Sequence, residues 1–150
     1  MKSNQKGITL VALVITIIVL LILAGVTIAA LSGDNGILTR GSESKAKDEI
    51  GAAKDQINLA ANLGIQEYFV GTHTSEGALT NAPTVADTKT KQDYVVAHID
   101  AIISAENKIG NASVSKATNV YTVTSSDGKY KDVGTVNSDG SVTWTGVSPV

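Results

Sequence analysis

The segment KGITLVALVITIIVLLILAGVTIAAL, from Lys6 to Leu31, constrains the fold more than any other part of the chain. Ile8–Leu31 runs for 24 residues without a charge. As a helix rising about 1.5 Å per residue it spans roughly 36 Å, enough to cross the apolar core of a bilayer. That is too long for the buried core helix of a 150-residue chain. Lys2 and Lys6 precede it, and in a spanning helix they hold the N-terminus on the cytoplasmic side.

The remainder of the chain is a small domain rich in Thr, Ser, Ala, Gly and Asn, whose only Phe and Trp are Phe69 and Trp144. The core it can bury is thin, so support from an assembly or partner is expected. The 12 Lys and Arg, less Lys2 and Lys6, leave 10 basic against 14 acidic side chains, a formal charge of −4 without residues 1–7. That balance is not a nucleic-acid-binding surface. The absence of cysteine excludes a disulfide framework and a thiolate metal site.

Three readings fit the N-terminus. A secretory signal has an apolar run of about 7–15 residues and a small-x-small cleavage site, whereas this run is longer and the Ala24–Gly33 end offers only weak cleavage candidates. A single-pass anchor fits the length. The third reading comes from the junction, where Gly7 separates the basic hexapeptide from Ile8-Thr9-Leu10-Val11.

That junction resembles the class III signal of type IV prepilins and pseudopilins, whose leader ends in glycine before a hydrophobic residue, Thr, Leu and an aliphatic. The resemblance implies cleavage between Gly7 and Ile8 by a membrane-embedded prepilin peptidase, then N-methylation of Ile8. It further implies assembly through Thr9, Leu10, Val11, Ala12 and Gly25, with an assembly platform and ATPase machinery as partners. The family usually has glutamate at the fifth mature position, where this chain has Ala12. Either the subunit is incorporated differently, at a tip or with its amine hydrogen-bonded by Thr9 or backbone carbonyls, or it belongs to a branch without the pair. The pattern through GDNGILTR is similar to pilin-like proteins of Gram-positive, clostridial-type bacteria, where that glutamate is often absent.

Residues 1–7 are thus read as a leader and 8–31 as the assembly or transmembrane helix. Gly25 weakens helix by about 1 kcal/mol relative to Ala. By the resemblance, Leu21–Ala29 is where a filament would extend the chain; a small residue for close helix packing is the other reading of Gly25. Ser32-Gly33-Asp34-Asn35-Gly36 is a kink or short break. Ala46, Ile50, Ala53, Ile57, Ala60 and Gly64 then recur at spacings of three and four, which predicts an amphipathic continuation over 32–70.

The head occupies 71–150. Gly71–Lys89 has no apolar period and reads as a variable loop. A weak capping box at Thr90–Asp93, with a stripe of Val95, Ile99, Ile102 and Ile109, predicts a second helix over 90–109. Asn119–Thr124, Lys129–Val136 and Ser141–Thr145 are rich in Val, Thr, Tyr and Trp and are separated by Asp-Gly turns, which predicts a three-stranded antiparallel meander over 119–145. Val142 and Trp144 share the face expected to cover the long helix. The fold class is α+β, pilin-like: a long N-terminal helix packed on a small domain with one further helix and a meander.

No catalytic site is expected. Neither His73 nor His98 has metal-ligand spacing, and His98 is expected to be half-buried or on the surface. Asp127, Asp132 and Asp139 do not match a calcium loop and read as turn residues. No cofactor fingerprint or nucleophile motif is present. The expected function is a structural subunit of a homo-oligomeric filament, membrane-held before assembly and extracellular after it. A minor or tip pseudopilin of a secretion or DNA-uptake machine, and a permanently anchored extracellular binding protein, are the alternatives. Adhesion, motility, DNA uptake and secretion all fit such a filament.

Overall fold

The computed structural model describes residues 5–33, 36–71 and 89–150. The loop expected over 71–89, His73 included, lies outside the described residues from 72 to 88, as do residues 1–4 and the Asp34-Asn35 pair. The chain divides into two compact units, Met1–Ser44 and Lys45–Val150.

The first unit carries helix α1, Gln5–Ser32, and the start of helix α2, Ile37–Gly71. The Gly-rich junction breaks the helical pattern, as its turn residues predict. It is tied locally: Gly33 N–H donates to the Ala29 carbonyl at 3.1 Å, and Thr39 Oγ1 donates back to the Gly33 carbonyl at 3.2 Å.

The second unit contains the rest of α2, helix α3 (Lys91–Ile102) and six strands: β1 Lys108–Ile109, β2 Ala112–Ala117, β3 Val120–Thr124, β4 Tyr130–Val136, β5 Val142–Trp144 and β6 Ser148–Pro149. All pairings are antiparallel, in the order β1-β2-β3-β4-β5, with β6 on β4 beside β5. The class is α+β. The predicted stripe of α2 is the buried one: Ala46, Ile50, Ala53, Ile57 and Ala60 are all core residues. Facing them are Val95 and Ile99 of α3, Ile109 of β1, Ala112 and Val114 of β2, Tyr121 and Val123 of β3, and Val136 of β4.

The α2–α3 contact depends on the last residue of that stripe. A Cβ on Gly64 would lie 2.7 Å from Val95 Cα and 2.9 Å from the Tyr94 carbonyl oxygen, both backbone atoms. Only a hydrogen fits there, so the small-residue spacing sets how closely the helices approach. At its start α3 carries the full capping box: Asp93 N–H donates to Thr90 Oγ1, and Thr90 N–H donates to the Asp93 carboxylate at 2.8 Å.

Helix α3 is shorter than its apolar stripe suggested. It ends at Ile102 rather than 109, and Ile109 is buried in β1 opposite Ala112. A turn after Ile102 the stripe meets only Ala105, which is exposed. There Ser104–Asn107 folds into a turn instead, with Asn107 at φ 56° and Ser104 Oγ accepting from Lys108 N–H at 3.1 Å. Gly110-Asn111 then makes a two-residue hairpin loop, with Gly110 at φ 60°. The meander is one side of a larger sheet, ending at the β5 edge. The three predicted segments are β3, β4 and β5, and β1, β2 and β6 extend them.

Two backbone positions yield measurable consequences. Gly64→Ala forces Cβ into the α3 backbone and should cost about 1–3 kcal/mol. Thr118, at φ 55° in the β2–β3 loop, is a β-branched residue in the left-handed region, so Thr118→Gly should stabilise the head by about 1 kcal/mol. Unfolding of the detergent-solubilised chain, followed by the fluorescence of its single tryptophan, Trp144, reads both. Shifts of the opposite sign would contradict the two backbone assignments.

Candidate functional site

Helix α1 holds the residues singled out for processing and assembly. Gly7 and Ile8 fall within its first turns, and Thr9, Leu10, Val11, Ala12 and Gly25 lie further along it. From Thr9 to Ser32 every side chain is exposed. Leu20, Leu21 and Val26 retain 64, 67 and 64% of their accessible surface. Among the described residues one helical stretch is long and apolar enough to cross a membrane, and none of its most apolar window is buried.

A soluble monomer rarely leaves an apolar patch above a few hundred Å² uncovered. Full burial of each Leu, Ile or Val side chain is worth roughly 1.5–3 kcal/mol. The surface of α1 therefore demands an apolar environment, whether lipid tails or other helices. Its polar groups are already satisfied within the helix: Thr16 Oγ1 donates to the Leu13 carbonyl at 2.7 Å, and Thr27 Oγ1 donates to the Leu23 carbonyl. Thr9, Ala12, Thr16 and Thr27 share one helix face by their spacing, with Gly25 on the opposite side. A Cβ on Gly25 would meet no atom within 4 Å. Leu21–Ala29 is helical here.

The head carries polar sites that the sequence did not disclose. Asp132 is not a turn residue. It is fully buried in β4, and its Oδ2 accepts from Lys54 Nζ of α2 at 2.6 Å. The physical cause is a bulge: Tyr130 and Lys131 pair with β6 and Gly134 pairs with Trp144, so Asp132 and Val133 lie opposite Thr145, Gly146 and Val147. Gly146, at φ 98°, turns its N–H onto Asp132 Oδ1 at 2.8 Å. Trp144 packs on the helix-facing side and donates from Nε1 to Asn58 Oδ1 of α2 at 3.1 Å, as expected of its face.

His98 is buried rather than half-exposed, and its Nε2 contacts the Glu67 carboxylate, joining α3 to α2. Glu67 lies 31 residues earlier in the chain, so no local motif marks the pair. The Tyr121 hydroxyl donates to Asp100 Oδ1 at 2.8 Å, and burial together with that carboxylate raises its pKa and keeps it a donor. Lys116 closes the same cluster on Asp100 Oδ2. A groove of about 630 Å³ beside it is lined by Asp100, Ile103, Ser104, Val114 and Lys116, among others. Of its charges, Asp100 and Lys116 pair with each other, and Glu106 pairs with Lys108 outside the lining. Among the described residues no group of three or more His, Cys, Asp or Glu side chains could hold a metal.

Compared with known protein families, curated proteins and solved structures, the chain matches none.

Several surface carboxylates serve as turn and cap acceptors. Backbone and hydroxyl hydrogen bonds from Ser126 lower the pKa of Glu49; the Ser125 and Ser141 hydroxyls do the same for Asp127 and Asp139, and Thr90 does so for Asp93. Each folded value lies below the unfolded one. The stability they contribute is present above the ordinary carboxylate range and is lost as pH falls through the folded values. The thermal midpoint of Trp144 fluorescence should therefore drop below about pH 4. Glu49→Gln should make that drop shallower, and an unchanged slope would remove Glu49 from the account.

Proposed function

We propose that this chain is a structural subunit of a type IV pilus-like filament, cut after Gly7, N-methylated at Ile8 and assembled by bundling of α1. The observation that carries the reading is an apolar helix exposed on every side from Thr9 to Ser32, whose first turns hold a Lys-Gly-Ile-Thr-Leu junction. Lipid satisfies such a surface before assembly. Neighbouring copies of the same helix satisfy it afterwards, so extraction exchanges one water-free environment for another. The helix contains no carboxylate, so contacts between copies along it rest on side-chain packing. The second unit, polar on its outside, then faces water.

Ala12 bears on the role within the filament. Without a carboxylate at that position, the amine of Ile8 donates its hydrogen bonds to Thr9 or to backbone carbonyls. A subunit used sparingly at a tip tolerates this arrangement as well as one that forms long fibres. Imaging of sheared surface material separates the two by abundance.

Mass spectrometry with N-terminal sequencing of the protein from its native host tests the processing. The expected chain starts at Ile8 and is one methylene heavier than its sequence. Gly7→Leu should abolish maturation. A chain that begins at Met1, or a Gly7→Leu variant that matures normally, would replace this reading with a permanent membrane anchor.

A further inference from the structure

We propose that Lys54 and Asp132 form an intramolecular amide bond, which fastens α2 covalently to β4. The two oxygens of Asp132 have different surroundings. Oδ1 accepts three hydrogen bonds, from Val133 N–H at 2.8 Å, Gly146 N–H at 2.8 Å and Thr145 Oγ1 at 3.2 Å. Oδ2 faces Lys54 Nζ at 2.6 Å. One oxygen thus sits where developing negative charge is stabilised, and the other sits on the nucleophile's side, placed to leave.

The surroundings favour condensation over hydrolysis. The Asp132 side chain is fully buried, and the Trp144 ring centroid lies 5.0 Å from Lys54 Nζ, covering the amine. The Lys54 side chain keeps 24% of its surface, which leaves a way out for one water molecule. Holding amine and carboxyl in contact is worth an effective concentration of roughly 10⁵–10⁸ M in well-oriented systems. The sheet bulge and the α2 stripe supply that orientation, and both are fixed by the fold.

The step balances without any further reagent. A proton crosses the Nζ–H···Oδ2 hydrogen bond, leaving a neutral amine and a carboxylic acid. The nitrogen lone pair adds to Cγ, and the charge that builds on Oδ1 lies among its three donors. A second nitrogen proton passes to Oδ2, the Cγ–Oδ2 bond breaks and water departs. Of the three ammonium protons, two leave in the water and one remains on the amide. Nothing is oxidised or reduced.

The test is peptide mapping of the full-length protein, denatured and digested with trypsin. An acylated Lys54 resists cleavage, so the expected product is the Asp48–Lys89 peptide joined to Asp132–Val150, one water lighter than their sum. Lys54→Arg keeps a positive charge facing Asp132 but removes the primary amine, and in that variant the joined product should vanish. Recovery from the wild-type chain of Asp48–Lys54, cleaved after Lys54, together with free Asp132–Val150 would overturn the proposal.

Discussion

The head is organised around a carboxylate that water cannot reach. Asp132 has no exposed surface, and an ionised group so placed is tolerated only if its lone pairs are filled. Lys54 from α2, the Val133 amide of β4, and Thr145 and Gly146 after β5 supply those partners. Three separate pieces of chain converge on one residue. Losing one partner of a buried pair typically costs about 3–5 kcal/mol, a large share of a domain's net stability. The apolar contacts of Ile50 and Ile57 hold α2 against the sheet, and its position along it is fixed by directional contacts: Lys54 with Asp132, Asn58 with Trp144 and Glu49 with Ser126.

The other unit obeys the opposite constraint. Helix α1 contains almost nothing to pair and a great deal to cover, and Thr16 and Thr27 bond back to their own helix. Its apolar surface specifies an environment without specifying an orientation about the helix axis. The two units thus obey different physics within one chain: an uncovered apolar surface in α1, and directional polar contacts around a thin core in the second unit.

How far the sequence could be read depended on the reach of each interaction. Periodicity exposed the α2 stripe residue by residue, because helix spacing is local and Ala, Ile and Gly at three and four residues leave few other folds. Asp-Gly turns disclosed β3, β4 and β5 for the same reason. The second helix was overextended because Ile109 falls seven residues after Ile102, a helical spacing, although the Ser104–Asn107 turn intervenes. Strand β2 was hidden by its Ser, Lys and Ala, which carry no strand signature of their own. Asp132 looked like its neighbours Asp127 and Asp139. Its burial comes from a bulge across the sheet and from a lysine 78 residues away, and no window of sequence contains both.

The bulge also sets an order of events during synthesis. Lys54 is made early, on the helix after the apolar segment, and Asp132 comes 78 residues later. Yet the carboxylate cannot be enclosed until Thr145 and Gly146 have been added and the strand after them has returned to β4. Until then Asp132 lacks two of its four partners, the Thr145 hydroxyl and the Gly146 amide. The Asp132 site is thereby complete only when the last strands of the sheet are in hand.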